Sequence, residues 1–137
     1  MKRTSIKSAI AALAIATAIA LPSVPAYAGG SFSITVKPAS EDAENAMKLG
    51  MLFYAIAQNA KKGGHITQKG HNNSAGVAQN GSGNFGIVHQ EGDNHNGSVT
   101  QNGNNNAHAL FQFGKNTDGH VAQNGNDETG ATFQFGW

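Results

Sequence analysis

The stretch Gln68-Lys69-Gly70-His71-Asn72-Asn73-Ser74-Ala75-Gly76-Val77-Ala78-Gln79-Asn80-Gly81 opens and closes on the same pair, a glutamine followed two positions later by a glycine. The pair recurs without a slip: Gln68, Gln79, Gln90, Gln101, Gln112, Gln123 and Gln134 are matched by Gly70, Gly81, Gly92, Gly103, Gly114, Gly125 and Gly136. Seven units at a fixed period of eleven mark a repeat architecture, in which each unit buries its surface against its neighbours. The function of such a chain is expected to lie in stacking.

Counting each glutamine as position 1, strand geometry puts positions 6, 8, 10, 1 and 3 on one face, because successive side chains alternate. Position 10 is Ile66, Val77, Val88, Val99, Leu110, Val121 and Thr132, β-branched in all but one unit and so well suited to a strand. Position 8 is small in most units, as at Ala75, Gly86, Gly97, Gly119 and Gly130. A face made of a small residue, an aliphatic and a glutamine suits the narrow gap between two close sheets. Positions 4 to 7 are rich in Asn, Gly, Ser and Asp, which supply turns.

The opposite face doubles the period. Gln79, Gln101 and Gln123 are each followed by Asn, whereas Gln68, Gln90, Gln112 and Gln134 are followed by Lys, Glu, Phe and Phe. Phe111-Gln112-Phe113-Gly114 returns 22 residues later as Phe133-Gln134-Phe135-Gly136. Two kinds of strand alternate. The predicted fold class is therefore all-β: a β-solenoid of about three and a half two-strand rungs over residues 65–137, with 22 residues per rung.

The first 64 residues lack the repeat. Residues 1–28 read as a secretory signal peptide, with Lys2, Arg3 and Lys7, then an apolar run from Ala9 to Leu21, then Ala26-Tyr27-Ala28 as a cleavage site. That apolar run is short for a membrane span. Without the three basic residues, six Lys and Arg face eight Asp and Glu, so the mature chain is about −2 and offers no basic patch for nucleic acid. Cysteine is absent, so disulfides cannot hold this expected secreted domain.

Residues 29–64 are expected to form a separate N-terminal segment. Ser31-Phe32-Ser33-Ile34-Thr35-Val36-Lys37 alternates like a half-buried strand and Pro38 ends it. Residues 40–62 read as a helix: Ser40 caps it, Glu41, Asp42 and Glu44 suit its first turn, and Lys61-Lys62 before Gly63 suit its end. Ala43, Met47, Gly50 and Tyr54 form one stripe, flanked by Ala46, Leu49, Phe53, Ile56 and Ala57. The stripe is expected to pack on the chain itself rather than on a membrane. A second reading stays open for the last third, since Ile56-Ala57-Gln58-Asn59-Ala60 resembles Val77-Ala78-Gln79-Asn80-Gly81 and is a candidate degenerate repeat.

In a stack of such rungs, glutamine amides donate and accept along the ladder, and the aliphatic column fills the space between sheets. The first and last rungs keep unpaired edges that template another copy. No capping segment is evident after the last repeat, so the ladder ending at Phe135 and Gly136 is expected to receive the next subunit. Phe111, Phe113, Phe133 and Phe135 are expected to face outward, either as a contact patch or as the packing surface for the helix.

The pattern Gln-x-Gly-x-x-Asn-x-Ala-x-x-x-Gln resembles the curlin repeat of curli subunits. Residues 68–79 match every fixed position, residues 79–90 substitute Gly86 for Ala, and later units put His95, Thr117 and Glu128 at the Asn position. The resemblance covers residues 65–137. It implies a bacterial extracellular functional amyloid, exported through an outer-membrane curli channel and polymerised with itself and other curlin subunits, including a nucleator, as cell-surface biofilm matrix. Two roles remain open under it: the main fibre subunit, or a minor nucleator or surface adhesin. The strand-like and helix-like pieces of residues 29–64 differ from the short glycine-rich leader of the family's major subunit.

Other chemistry is weaker in the pattern. His65, His71, His89, His95, His108 and His120 occupy positions 9, 4, 11, 6, 8 and 9, so most do not stack as recurring metal ligands, and neither metal nor cofactor is expected. Asp93, Asp118 and Asp127 lack the nine-residue spacing of calcium solenoids. Glu91 with Asp93, and Asp127 with Glu128, bring no pocket signature of an acid/base pair and read better as gatekeepers against aggregation. Thr67 and Thr100 do not make the flat threonine array of an ice-binding surface. An enzyme is not expected.

Overall fold

Turn chemistry divides the repeat region at the expected places. The computed structural model describes residues 30–57 and 63–137; the expected signal peptide, and residues 58–60 of the candidate degenerate repeat, lie outside them. The seven repeat strands are β2 (Gly64–Lys69), β3 (Ser74–Asn80), β4 (Phe85–Asp93), β5 (Asn96–Asn102), β6 (Ala107–Lys115), β7 (Asp118–Asn124) and β8 (Thr129–Gly136). Position 5 of each turn, at Asn72, Gly83, Asn94, Asn105, Asn116 and Asp127, has a φ between 55° and 70°. Asn, Asp and Gly tolerate that left-handed conformation, and each instance turns the chain from one sheet to the other.

The strands stack in two sheets. One carries β2, β4, β6 and β8; the other carries β3, β5 and β7. All these pairings are parallel and join residues 22 apart, as in Gln68 to Gln90 and Val77 to Val99. The fold is the all-β solenoid of two-strand rungs that the doubled period predicts. Between the sheets, Val88, Val99 and Leu110 are completely buried, with Ala75, Val77 and Val121 packed on them. Ile66, in the same column, is 41% exposed because its strand belongs to the first rung.

The N-terminal segment forms β1 (Ser31–Val36) and α1 (Glu41–Ala57). Ser40 caps the helix, its Oγ accepting from the Ala43 amide at 3.2 Å. The helix includes Ile56 and Ala57 of the stretch for which a degenerate repeat was the alternative. Its buried stripe keeps Met47 and Tyr54 of the expected line but centres on Met51. Met51 is buried with Met47 and Tyr54 beside it, whereas Gly50 has nothing within 4 Å of where a Cβ would stand and Leu49 is 52% exposed. A helix crossing a twisted sheet buries the line that meets the strands, and that line runs through Met51. The side chains of Phe53, Ile56 and Ala57 lie outside the described residues. No described helix is long and apolar enough to cross a membrane.

β1 overturns one expectation. It pairs antiparallel with β8 along its whole length, from Ser31 opposite Gly136 to Val36 opposite Ala131. The edge of β8, expected to lie open for the next subunit, is covered by the chain's own N-terminal strand. The period of the repeat could not reveal this, because β1 lies outside the repeat.

Candidate functional site

The glutamines stand on inward positions of consecutive rungs. Each side-chain amide donates to the Oε1 of the glutamine one rung further on: Gln68 to Gln90, Gln90 to Gln112 and Gln112 to Gln134 at 2.8 Å each. On the other sheet Gln79 donates to Gln101 at 2.8 Å and Gln101 to Gln123 at 2.7 Å. The structure thus brings together all seven predicted glutamines, as two ladders with the same polarity. Gln90, Gln101 and Gln112 are fully buried, where an unpaired amide would cost about 1–3 kcal/mol.

Most of these amides also donate across the gap between the sheets. Gln90 donates to the carbonyl of Ser74 at 2.7 Å, Gln101 to Phe85 at 3.1 Å, Gln112 to Asn96 at 2.9 Å and Gln134 to Asp118 at 3.1 Å. Gln79 reaches the Gly63 carbonyl in the same way. The small residues at position 8 leave room for this. A Cβ on Gly97 or Gly119 would overlap the amide oxygen of Gln112 or Gln134.

The ladder glycines are required by contact with the next rung. At Gly70, Gly81, Gly92, Gly103 and Gly114, φ lies between 90° and 130°, and an added Cβ would overlap the carbonyl oxygen of the equivalent glycine 22 residues on. Gly136 faces the Lys115 carbonyl instead, and Gly125 only the Glu128 carboxylate. Beside them, position 6 forms a second polar column. The Asn73 amide donates to Gly92 O at 2.9 Å, Asn84 to Gly103 O and Asn106 to Gly125 O at 2.8 Å, while Asn84 Oδ1 accepts from the Asn106 amide N–H at 3.0 Å. This column escaped the sequence reading, although its signal was present in the Asn of the repeat pattern.

Asp93 and Asp127 have structural roles. Asp93 accepts from the backbone N–H of His71 at 2.9 Å and faces its ring at 3.3 Å, and these bonds hold its carboxyl below the usual range. Asp127 occupies a left-handed turn position. Among the described residues no group of three or more His, Asp or Glu is placed to hold a metal. The histidines are spread over separate partners: His65 with Thr67, His89 with Tyr54, His95 with Thr117, His108 with Thr132 and His120 with Ser98.

The four phenylalanines divide. Phe111 and Phe133 stack at 5.0 Å and lie beneath α1, in a cluster with Met51, Ile87, Ala109 and Ala131. Tyr54 of the helix meets Phe111 edge-on at 5.7 Å and bonds the His89 ring, its hydroxyl pKa raised chiefly by burial. Phe113 and Phe135 stack at 5.5 Å further along the strands, and Phe135 is 43% exposed.

The two ends of the stack differ. At the first rung, β2 and β3 each have a strand partner on one side only among the described residues. Among the described residues no group donates to the Oε1 of Gln68 or Gln79 there. At the other end β7 has no described strand on its outer side, and Gln123 turns its amide to the carbonyls of Glu128 and Ala107. Beside β7 lies a cleft lined by Thr35, Lys37, His108, Val121, Gln123 and Thr132, where the next strand of that sheet would lie. Comparisons with family models, curated proteins and solved structures returned no match for this chain.

Proposed function

We propose that this chain is a secreted structural subunit that assembles head to tail into curli-like amyloid fibres, serving as biofilm matrix and surface adhesive. The observation that carries the reading is the polarity of the ladders. One end of the stack presents glutamine oxygens on Gln68 and Gln79, and the other ends in glutamine amides on Gln134 and Gln123. A second copy placed rung on rung continues both ladders in register, and its edge strands satisfy N–H and C=O groups that otherwise template pairing. Each added rung brings the same bonds as the one before, so stability accumulates along the stack.

The curlin repeat pattern supports export and surface assembly with other curlin subunits. The nucleator reading draws on a different observation, the asymmetry of the ends: a chain with an open first rung and a covered β8 offers a template mainly at one end.

Thioflavin T fluorescence and electron microscopy of residues 29–137, with and without preformed seeds, test this. Fibres that grow from the pure chain and seed their own growth are the expected result. A chain that stays monomeric but accelerates another curlin is a nucleator. A chain that does neither overturns the proposal.

A further inference from the structure

We infer that β1 is a removable cap, and that a copy becomes able to accept the next subunit only when β1 peels away from β8; this rests on the self-assembly reading above. β1 occupies the place that a second copy's β2 would take. It differs from every other strand partner in the two sheets by running antiparallel. It also carries no glutamine, so Gln134 has no ladder acceptor above it and its amide goes only to the Asp118 carbonyl.

The cap and an incoming copy compete on different terms. The pairing of β1 sets Phe32, Ile34 and Val36 opposite Phe135, Phe133 and Ala131 on the outer face, an apolar strip that stabilises the closed state. The incoming β2, in the 22-residue register, would place Lys69, Thr67 and His65 over those same residues. That outer face is polar and weaker. On the inner face the balance reverses, because Gln68 of the newcomer supplies the missing Oε1, whereas β1 offers Ser33 opposite Gln134. The newcomer also brings β3 onto the open edge of β7, so its six-residue and seven-residue strands both pair where the cap pairs only six residues of one sheet.

β1 thus slows addition without preventing the final stack. The closed state is the stable monomer, and the apparent affinity for the next subunit is reduced by the fraction of copies that are open. At the other end β2 and β3 keep an outer edge that no described strand covers.

A disulfide tests the cap directly. Thr35 and Thr132 face each other across β1 and β8 with their hydroxyl oxygens 2.9 Å apart, and the chain has no cysteine of its own. In T35C/T132C the two thiols can form only this one intramolecular bridge, verified on a non-reducing gel. Oxidised protein is expected to lag roughly tenfold or more behind the same protein after reduction, with both showing the same circular dichroism as monomers. Equal lags for the oxidised and reduced forms overturn the cap. Ile34→Asp, which sets a charge against Phe133, is expected to shorten the lag relative to the parent; an unchanged lag also counts against the cap. If the parent forms no fibres under any seeding condition, the self-assembly reading fails and the cap falls with it.

Discussion

The side-chain amide of Gln112 on β6 donates to the backbone carbonyl of Asn96 at the start of β5, 2.9 Å away across the gap between the sheets. The same nitrogen donates to Gln134 at 2.8 Å, and Gln112 Oε1 accepts from Gln90 at 2.8 Å. A ladder along the stack and a staple across it therefore share one side chain. Replacing Gln112 by Ala removes all three bonds from a fully buried site. The expected loss is about 3 kcal/mol of unfolding free energy, read as a lower urea midpoint. Gln68→Ala, at the exposed first rung with a single ladder bond, is expected to cost under about 1 kcal/mol. Equal costs would show that the ladder acts without its cross-sheet staples.

Glycine at position 3 is tested by a matched pair. Gly103 has φ +122°, and a Cβ there would overlap the Gly125 carbonyl oxygen. Gly76 sits in a strand with nothing within 4 Å of the same point. Gly103→Ala should cost about 2–4 kcal/mol, from strain and a displaced rung, whereas Gly76→Ala should fall within about 0.5 kcal/mol of the parent. Thermal unfolding of both variants decides the matter; a small effect at Gly103 would mean that the rungs can shift to admit a methyl.

What could be read in the sequence follows what repeats. The eleven-residue spacing and the alternation after Gln79, Gln101 and Gln123 suffice for two parallel sheets in register, because every pairing joins residues 22 apart. The aliphatic column at Val88, Val99 and Leu110 follows from the same alternation. Two features escaped because their partners lie outside the period. The first is the cap, in which Ile34 meets Phe133 nearly a hundred residues away. The second is the apolar layer under α1, where Ile87, Ala109 and Ala131 share position 9 with the exposed His120 of the other sheet. That contrast between the sheets was present in the 22-residue period, but only the helix of residues 41–57 explains it.

His108 gives the fold a pH dependence. It holds the inward position 8 that is glycine in most units, is 3% exposed, and its Nδ1 has no partner. Burial, with the charge of Lys37 adding to it, lowers its pKa from 6.5 to about 4. The unfolded chain therefore takes up this proton before the folded one does. Stability contributed by the neutral ring is complete above pH 6.5 and is lost as pH falls from there toward 4, by roughly 3 kcal/mol in all. His108→Ala should flatten that part of the profile. Urea midpoints measured across this range on both proteins provide the check, and identical slopes would remove His108 as the cause.

The four outward phenylalanines should separate into two pairs. Phe111 is enclosed by Phe133, Tyr54 and the helix, so Phe111→Ala opens a hole beneath α1. The expected cost is about 2–4 kcal/mol, with loss of helical circular dichroism because Tyr54 and Met51 lose part of their floor. Phe135 stacks on Phe113 but leaves 43% of itself in solvent. Phe135→Ala should cost under about 1 kcal/mol and leave the helix intact. If the exposed pair joins one filament to another, the Phe135 variant will form thinner bundles by electron microscopy, with a shortened lag because Phe32 of β1 loses its partner. Equal destabilisation at both sites would instead make all four rings one packing layer, and unchanged bundles would take the exposed pair out of lateral contact.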